Sequence, residues 1–161
     1  MRFRAVLPLA IAAVGIVLSA AAAAADDTVA LVVPRDSRHR VDGLGELAEV
    51  FRRKKRFWGD GVRVDPVNLP ADDPLRRRFS QMVLSATPEQ LEPYWNDLYF
   101  HGILPPRVLK SAEAVIRYVA SSPGAIGYIP LCAADDRVMI ALEIDAAGTA
   151  QEKSRPGGCT R

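Results

Sequence analysis

The N-terminal segment most constrains what this chain can fold into, because it has the pattern of a peptide that is removed before folding. Two arginines stand among the first four residues, a mostly apolar run follows, and an alanine tract ends at Ala25. This order is typical of a secretory signal peptide. A membrane anchor would need about 20 continuous apolar residues, whereas Pro8 and Gly15 interrupt this run. We therefore predict a signal peptide over residues 1–25 and a periplasmic protein, whose remaining length suits about one domain.

The remainder has the composition of a folded, soluble domain. Of the 161 residues, 49% are hydrophobic and 25% are charged, which argues against disorder. The formal net charge of +2 disappears once Arg2 and Arg4 are removed, because 19 basic residues then face 19 acidic ones. No overall field attracts a polyanion, so we predict no nucleic-acid partner. Two histidines and two cysteines are too few for a structural zinc site, and we predict no metal or cofactor.

The two cysteines are predicted to form a disulfide. Cys132 and Cys159 would both reach an oxidising compartment after export. An even pair in such a compartment more often forms a bridge than two free thiols. This bridge would tie the C-terminal tail to the body of the domain.

The order of apolar segments predicts an α/β domain over residues 26–144 and a C-terminal tail over residues 145–161. The first strand, at residues 28–33, precedes a helix at residues 44–51 and a second strand at residues 62–69. The gap between these strands is long enough for a crossover helix, so we predict an opening βαβ unit with parallel strands. Two further strands are predicted at residues 125–131 and 138–144.

Three more helices are predicted from their starting residues. Asp73, Thr87 and Ser111 are residue types that cap helix N-termini well, and a proline follows each of the first two. The helix after Thr87 is predicted to turn an apolar face inward through Leu91, Trp95, Leu98 and Tyr99.

The polar loop at residues 35–40 contains an aspartate, a serine and a histidine, but it does not predict a catalytic triad. A triad needs members that converge from separate elements on an oxyanion site. The sequence also lacks a Gly-x-Ser-x-Gly motif, a Walker loop and a dinucleotide fingerprint. His101, beside Gly102 at a helix end, is interpreted as a cap or a surface residue. We therefore predict a protein that is not an enzyme.

Two basic clusters are candidates for contacting anions. Residues 52–56 are all arginine or lysine and precede Phe57 and Trp58. We interpret them as a solvated helix end whose two aromatic rings pack into the core, with docking on anionic lipid or on a partner protein as the alternative. Residues 76–78 are three arginines just inside a helix start, where free N–H groups and the helix dipole favour an anion.

The segment Ser-Pro-Gly-Ala-Ile-Gly-Tyr-Ile at residues 122–129 is the most distinctive in the chain. Shorter segments that precede it lie at residues 44–51, 58–61, 64–69 and 74–79. In this order they resemble the substrate-binding proteins of phosphate ABC transporters. The resemblance implies a type II periplasmic-binding-protein fold, with a central, mostly parallel sheet flanked by helices and a ligand held between two lobes. The predicted mature chain has the length of one such lobe.

The loop that would hold phosphate departs from the family pattern. In the family, the loop from the second strand into the next helix carries Ser, Gly and Thr residues whose hydroxyls and backbone amides cradle phosphate. Here Pro74 has no N–H, Leu75 has no hydroxyl, and two carboxylates would repel an anion. The residues predicted to line a ligand site at this edge are Asn68, Asp72, Asp73, Arg76 and Arg77.

Two functions are open at this point. The first is a ligand-binding or accessory role linked to ABC-type uptake of a small anionic solute, with a homodimer or a partner protein completing the cleft. The second is a protein-interaction module that kept the fold and lost phosphate binding. A homodimer would favour the first function. An exposed apolar face and partner-dependent stability would favour the second.

Overall fold

The computed structural model describes residues 28–151, which form a six-stranded sheet flanked by helices. The strands are β1 (Val29–Pro34), β2 (Asp65–Asn68), β3 (Arg107–Val108), β4 (Ala125–Pro130), β5 (Val138–Ile144) and β6 (Ala150–Gln151). The helices are α1 (Leu44–Phe51), α2 (Pro74–Leu84), α3 (Glu92–Phe100) and α4 (Ala112–Ser121), with short 3-10 turns at Glu89–Leu91 and Leu131–Ala133. The predicted α/β class and the predicted helix starts at Asp73 and Ser111 are confirmed.

The sheet has the strand order β3-β2-β4-β1-β5-β6. Strand β2 runs parallel to both β3 and β4. Strand β1 runs antiparallel to β4 and β5, and β6 runs antiparallel to β5. Four of the six strands, β2 to β5, therefore share one direction, and the sheet is mixed, with two parallel and three antiparallel neighbouring pairs.

The predicted βαβ unit at the start of the domain is wrong. Strand β1 lies between β4 and β5, and it runs opposite to β2. The chain after α1 does not cross straight to a parallel strand, because an antiparallel bridge between Phe57 and Arg63 turns it back first. This hairpin takes up residues that the sequence pattern assigned to the start of β2, which begins only at Asp65.

Three aromatic side chains join α1, α2 and β4 in the core. Phe79 stacks on Tyr128 with ring centroids 3.9 Å apart. Phe51 meets the edge of Phe79 at 4.6 Å. All three side chains are fully buried. Edge-to-face and offset-stacked rings add about 0.5–1.5 kcal/mol beyond their burial, so this group fixes α2 against the sheet.

The sheet extends past the predicted end of the domain at residue 144. Residues Ala150 and Gln151 pair with Ile144 and Glu143, after a turn closed at Asp145. The predicted signal peptide at residues 1–25 and the rest of the predicted tail lie outside the described residues. Cys159 lies there too, so its pairing with Cys132 stays a prediction.

Candidate functional site

The end of β2 and the start of α2 form the candidate site. Strands β2 and β4 are parallel, with Asp65 opposite Ala125, so their carboxyl ends lie at the same edge of the sheet. Ligands of open α/β sheets bind outside this edge. Asn68 ends β2, α2 begins at Pro74, and Tyr128 comes from the neighbouring β4.

Tyr128 organises the buried part of this edge. Its hydroxyl accepts a hydrogen bond from the Leu69 N–H at 3.2 Å and donates one to Asn68 Oδ1 at 3.3 Å. Burial raises the pKa of Tyr128, and the nearby Arg76 guanidinium opposes that rise. The side chain of Asn68 is therefore engaged in the core and is only 4% exposed.

Asp73 caps α2 with its own carboxylate. Its Oδ1 accepts hydrogen bonds from the Leu75 N–H at 2.8 Å and from the Arg76 N–H at 3.3 Å. Pro74 has no N–H to offer. A helix N-terminus attracts anions through its free N–H groups and its dipole. At α2 a carboxylate that belongs to the chain already occupies two of these donors.

The two arginines that follow the cap have different environments. Arg76 is 7% exposed, and its Nε and Nη1 are buried without a hydrogen-bond partner among residues 28–151. Arg77 is exposed and donates to Glu89 Oε2 at 3.3 Å, with a second bond to the other oxygen of that carboxylate. Neighbouring side chains on a helix diverge by about 100°, which explains why only Arg76 faces Tyr128.

The structure therefore brings together three of the five predicted site residues. Asn68, Asp73 and Arg76 all lie close enough to Tyr128 to bond it or to influence its pKa. Asp72 is exposed, and Arg77 is paired with Glu89. Sequence reasoning missed Tyr128 and Ser80, whose buried Oγ has no partner within the described part of the chain. The signal for Tyr128 was a hydroxyl inside an otherwise apolar strand.

The loop that contains His39 packs against the hairpin through Trp58. The His39 ring stacks on Trp58 at 4.6 Å and is 3.1 Å from Asp60 Oδ2 through its Nε2. Trp58 is buried and donates from Nε1 to the Gly124 carbonyl at 3.1 Å. Phe57, predicted to be buried beside Trp58, is 55% exposed. Successive side chains in an extended segment point to opposite faces, so only one of the two rings can point inward.

Residues 28–151 show neither a metal-binding cluster nor a membrane-spanning helix. Residues 28–151 contain no group of three or more His, Cys, Asp or Glu side chains placed to hold a metal ion. Among the helices of the same residues, none is both long enough and apolar enough to cross a membrane.

Solved structures match this architecture, although no family model and no curated protein matches the chain. A phosphate ABC transporter substrate-binding protein from Clostridium perfringens, solved with bound phosphate, matches with a TM-score of 0.59 at 18% identity, over 71% of this chain and 44% of that one. An ABC-type phosphate transport receptor from Vibrio cholerae matches with a TM-score of 0.59 at 16% identity, over 73% and 46%. The chain shares its fold with these phosphate-transport proteins. PstS from Borrelia burgdorferi matches with a TM-score of 0.50 at 16% identity, over 64% and 40%.

The shared fold confirms the resemblance at the level of one lobe. The chain spans less than half the length of each of these three proteins. The fold of these proteins and the Asp73 cap at α2 are therefore present together in this chain.

Proposed function

We propose that this protein is a non-enzymatic binding module of a phosphate-type ABC uptake system, and that it acts as an accessory instead of capturing free phosphate. Two proteins with its fold are described as a phosphate transporter substrate-binding protein and a phosphate transport receptor. The observation that carries the accessory role is the position of Asp73. Its carboxylate lies where an anion would meet the start of α2.

The electrostatics at α2 disfavour a phosphate ligand. An incoming phosphate would have to displace the Asp73 carboxylate from the Leu75 and Arg76 N–H groups and would be repelled by its charge. Arg77 is drawn away by Glu89. Arg76 is buried against Tyr128. Phosphate therefore gains little at this edge from the described residues.

The second candidate function is a protein-interaction module that has lost phosphate binding. Large apolar side chains of α3 and the following segment face solvent, among them Phe100 at 85% exposure and Leu104 at 60%. Soluble proteins seldom expose such side chains together unless a partner or another surface covers them. In this second candidate function, a partner protein would bind at these exposed side chains.

Export to the periplasm is part of the proposal. It rests on the charged start, the apolar run and the alanine tract before Asp26. Sequencing the N-terminus of protein from a periplasmic fraction is expected to show a start at or near Asp26. Recovery of intact Met1 on a membrane-embedded protein would contradict export with cleavage.

Phosphate titration of two variants tests the role of Asp73. Asp73→Ser keeps an oxygen that caps α2 and removes the charge, so we expect its phosphate affinity to rise about tenfold, or about 1.4 kcal/mol. Asp72→Ser is the matched control, because it removes an exposed carboxylate that does not cap the helix. Equal phosphate affinities for the two variants would show that the Asp73 carboxylate does not exclude phosphate from the start of α2.

A further inference from the structure

Four arginines gather on one surface beside β3, with the Asp65 carboxylate as their acidic neighbour. They are Arg53, Arg56, Arg63 and Arg107, here called the arginine cluster. Within residues 28–151 none of them forms an ion pair with a carboxylate. Arg53 donates from Nη1 to the Val64 carbonyl at 3.3 Å, but its Nε is buried with no partner in that range.

The charge of the arginine cluster is poorly compensated. Burial lowers the pKa of Arg53, and the charges of Arg63 and Arg56 lower it further. Asp65 raises it, and its carboxylate, which accepts a hydrogen bond from the Tyr118 hydroxyl, supplies one negative charge against four positive ones. Arg107 lies 5.5 Å above the Tyr118 ring. A group of cations with so little compensation favours an external anion.

The backbone holds Arg53 in an unfavourable conformation. Its φ is 61°, in the left-handed region, which costs a residue with a Cβ about 1–2 kcal/mol. The surrounding structure has to stabilise this conformation. The Arg53 guanidinium itself is positioned by its hydrogen bond to the Val64 carbonyl.

A cavity of about 300 Å³ opens between the ends of the arginine cluster. Arg53 and Arg107 line it from two sides, together with Asp65, Pro66 and the segment Leu104, Pro105 and Pro106. Its volume exceeds the roughly 30 Å³ that one water occupies by about tenfold. A phosphate group with its ester substituent fits a space of this size, where it would meet two guanidinium groups and one carboxylate.

One of the exposed apolar side chains near the arginine cluster also lines this cavity. Leu104 lines it and is 60% exposed, and Val108, next to Arg107, is 58% exposed. Phe57 pairs with Arg63 across the hairpin and is 55% exposed. Phe100 precedes Leu104 and is 85% exposed. Basic residues interleaved with exposed aromatic and aliphatic side chains are typical of surfaces that lie on anionic membranes.

We propose that the arginine cluster and its exposed apolar neighbours form a docking surface for an anionic phospholipid bilayer, with a lipid phosphate held between Arg53 and Arg107. Free phosphate would need the arginines but not the apolar side chains. A second copy of the chain would bring two positively charged arginine clusters together, which like-charge repulsion opposes. An anionic bilayer complements both the positive charge and the apolar side chains.

Vesicle binding tests the docking surface. The purified protein and its variants, all with the same N-terminus checked by mass spectrometry, are sedimented with vesicles of phosphatidylglycerol and phosphatidylcholine, or of phosphatidylcholine alone. We expect binding to the anionic vesicles only, weakening as salt rises. Arg107→Gln is expected to lower the partition coefficient about fivefold, the equivalent of about 1 kcal/mol per basic residue. Phe100→Ser is expected to lower it about tenfold.

Arg117→Gln is the matched control, because it removes an exposed arginine on α4 that pairs with Glu113 at 3.7 Å. It is expected to change binding less than twofold. Equal binding of all variants, or binding to neutral vesicles, would overturn the proposal. Calorimetry could instead give a result in which the protein binds inorganic phosphate, Arg107→Gln abolishes this binding, and no vesicle is bound. In that case the ligand of the arginine cluster is a free anion and the bilayer proposal is overturned. A dimer in sedimentation velocity that Phe100→Ser dissociates would show that this surface binds a second copy of the chain, which would overturn the bilayer proposal.

Discussion

Gly127 is the residue at which the addition of one methyl group most directly tests the packing of β4. A Cβ there would lie 2.6 Å from Val115 Cγ1 on α4 and 2.9 Å from Val67 Cγ2 on β2. Both distances are too short for carbon atoms, so Gly127→Ala is expected to lower the free energy of unfolding by about 1–3 kcal/mol. Gly45→Ala is the control, because no heavy atom lies within 4 Å of its added Cβ. Urea unfolding that ranks the two variants equally would contradict this packing.

Glu46 gives a prediction about pH. Burial raises the pKa of Glu46, but hydrogen bonds from Lys55 and from the Asp42 N–H together lower it below its ordinary 4.5. A carboxyl whose pKa is lower in the folded state stabilises the protein above the unfolded value, and that contribution is lost as pH falls through the folded value.

Glu46→Gln removes this contribution. We expect the variant to be less stable than the native protein at pH 7 by under about 1 kcal/mol, since the pair is partly exposed. The difference should shrink when pH falls from 5 to 3. Denaturant unfolding at pH 7, 5 and 3 measures it, and a difference that stays constant with pH would show that Glu46 acts through packing alone.

At the scale of elements, the start of α2 depends on Asp73. Removal of a capping side chain costs about 0.5–2 kcal/mol, so we expect Asp73→Ala to lower the free energy of unfolding by about 1 kcal/mol. Asp72→Ala, one position earlier and exposed, is expected to leave it unchanged. Thermal unfolding followed by circular dichroism compares them, and equal losses would mean that the hydrogen bonds of Asp73 do not hold the helix start.

Helix starts could be predicted from the sequence because their signals are local. Asp73 and Ser111 cap their helices through bonds to residues two or three positions away. Thr87 accepts from the Gln90 N–H, but the helix predicted to start at Thr87 opens with a 3-10 turn, and its α-helical part begins only at Glu92. The inward face of α3 could not be predicted, and Tyr99 is 62% exposed. A 3-10 turn at Glu89–Leu91 precedes α3 and advances each residue by about 20° more than an α-helix does.

The sheet topology depends on contacts that no local pattern encodes. The sequence predicted strand β1 but not its direction, because an apolar run reads the same whether its neighbours are parallel or antiparallel. Strand β3 has only two residues and follows two prolines, so it left no periodic signal. The sequence could place Asn68, Asp73 and Arg76 near one another in the candidate site, because they lie within nine positions. Tyr128 was missed because it reaches that site from another strand.

At the scale of the whole molecule, the predicted disulfide would link Cys132 to the C-terminal tail. The two cysteines are 27 positions apart in the sequence. Closing such a loop stabilises a protein by roughly 3–4 kcal/mol in the chain-entropy model. Alkylation of the denatured, unreduced protein is expected to add no label to either cysteine, with two labels after reduction as the control. Two labels before reduction would exclude the bridge.

Phosphate affinity is the property that most directly tests whether this protein differs in function from the phosphate-transport proteins that share its fold. If the Asp73 carboxylate occupies the start of α2 as the structure shows, the monomer has few donors left for an anion at this edge. Titration calorimetry of the native protein with inorganic phosphate at neutral pH, on a sample shown to be monomeric, measures this directly. We expect a dissociation constant of about 1 mM or weaker, which corresponds to about 4 kcal/mol or less. Micromolar binding by the monomer would contradict the closed site and the accessory role built on it.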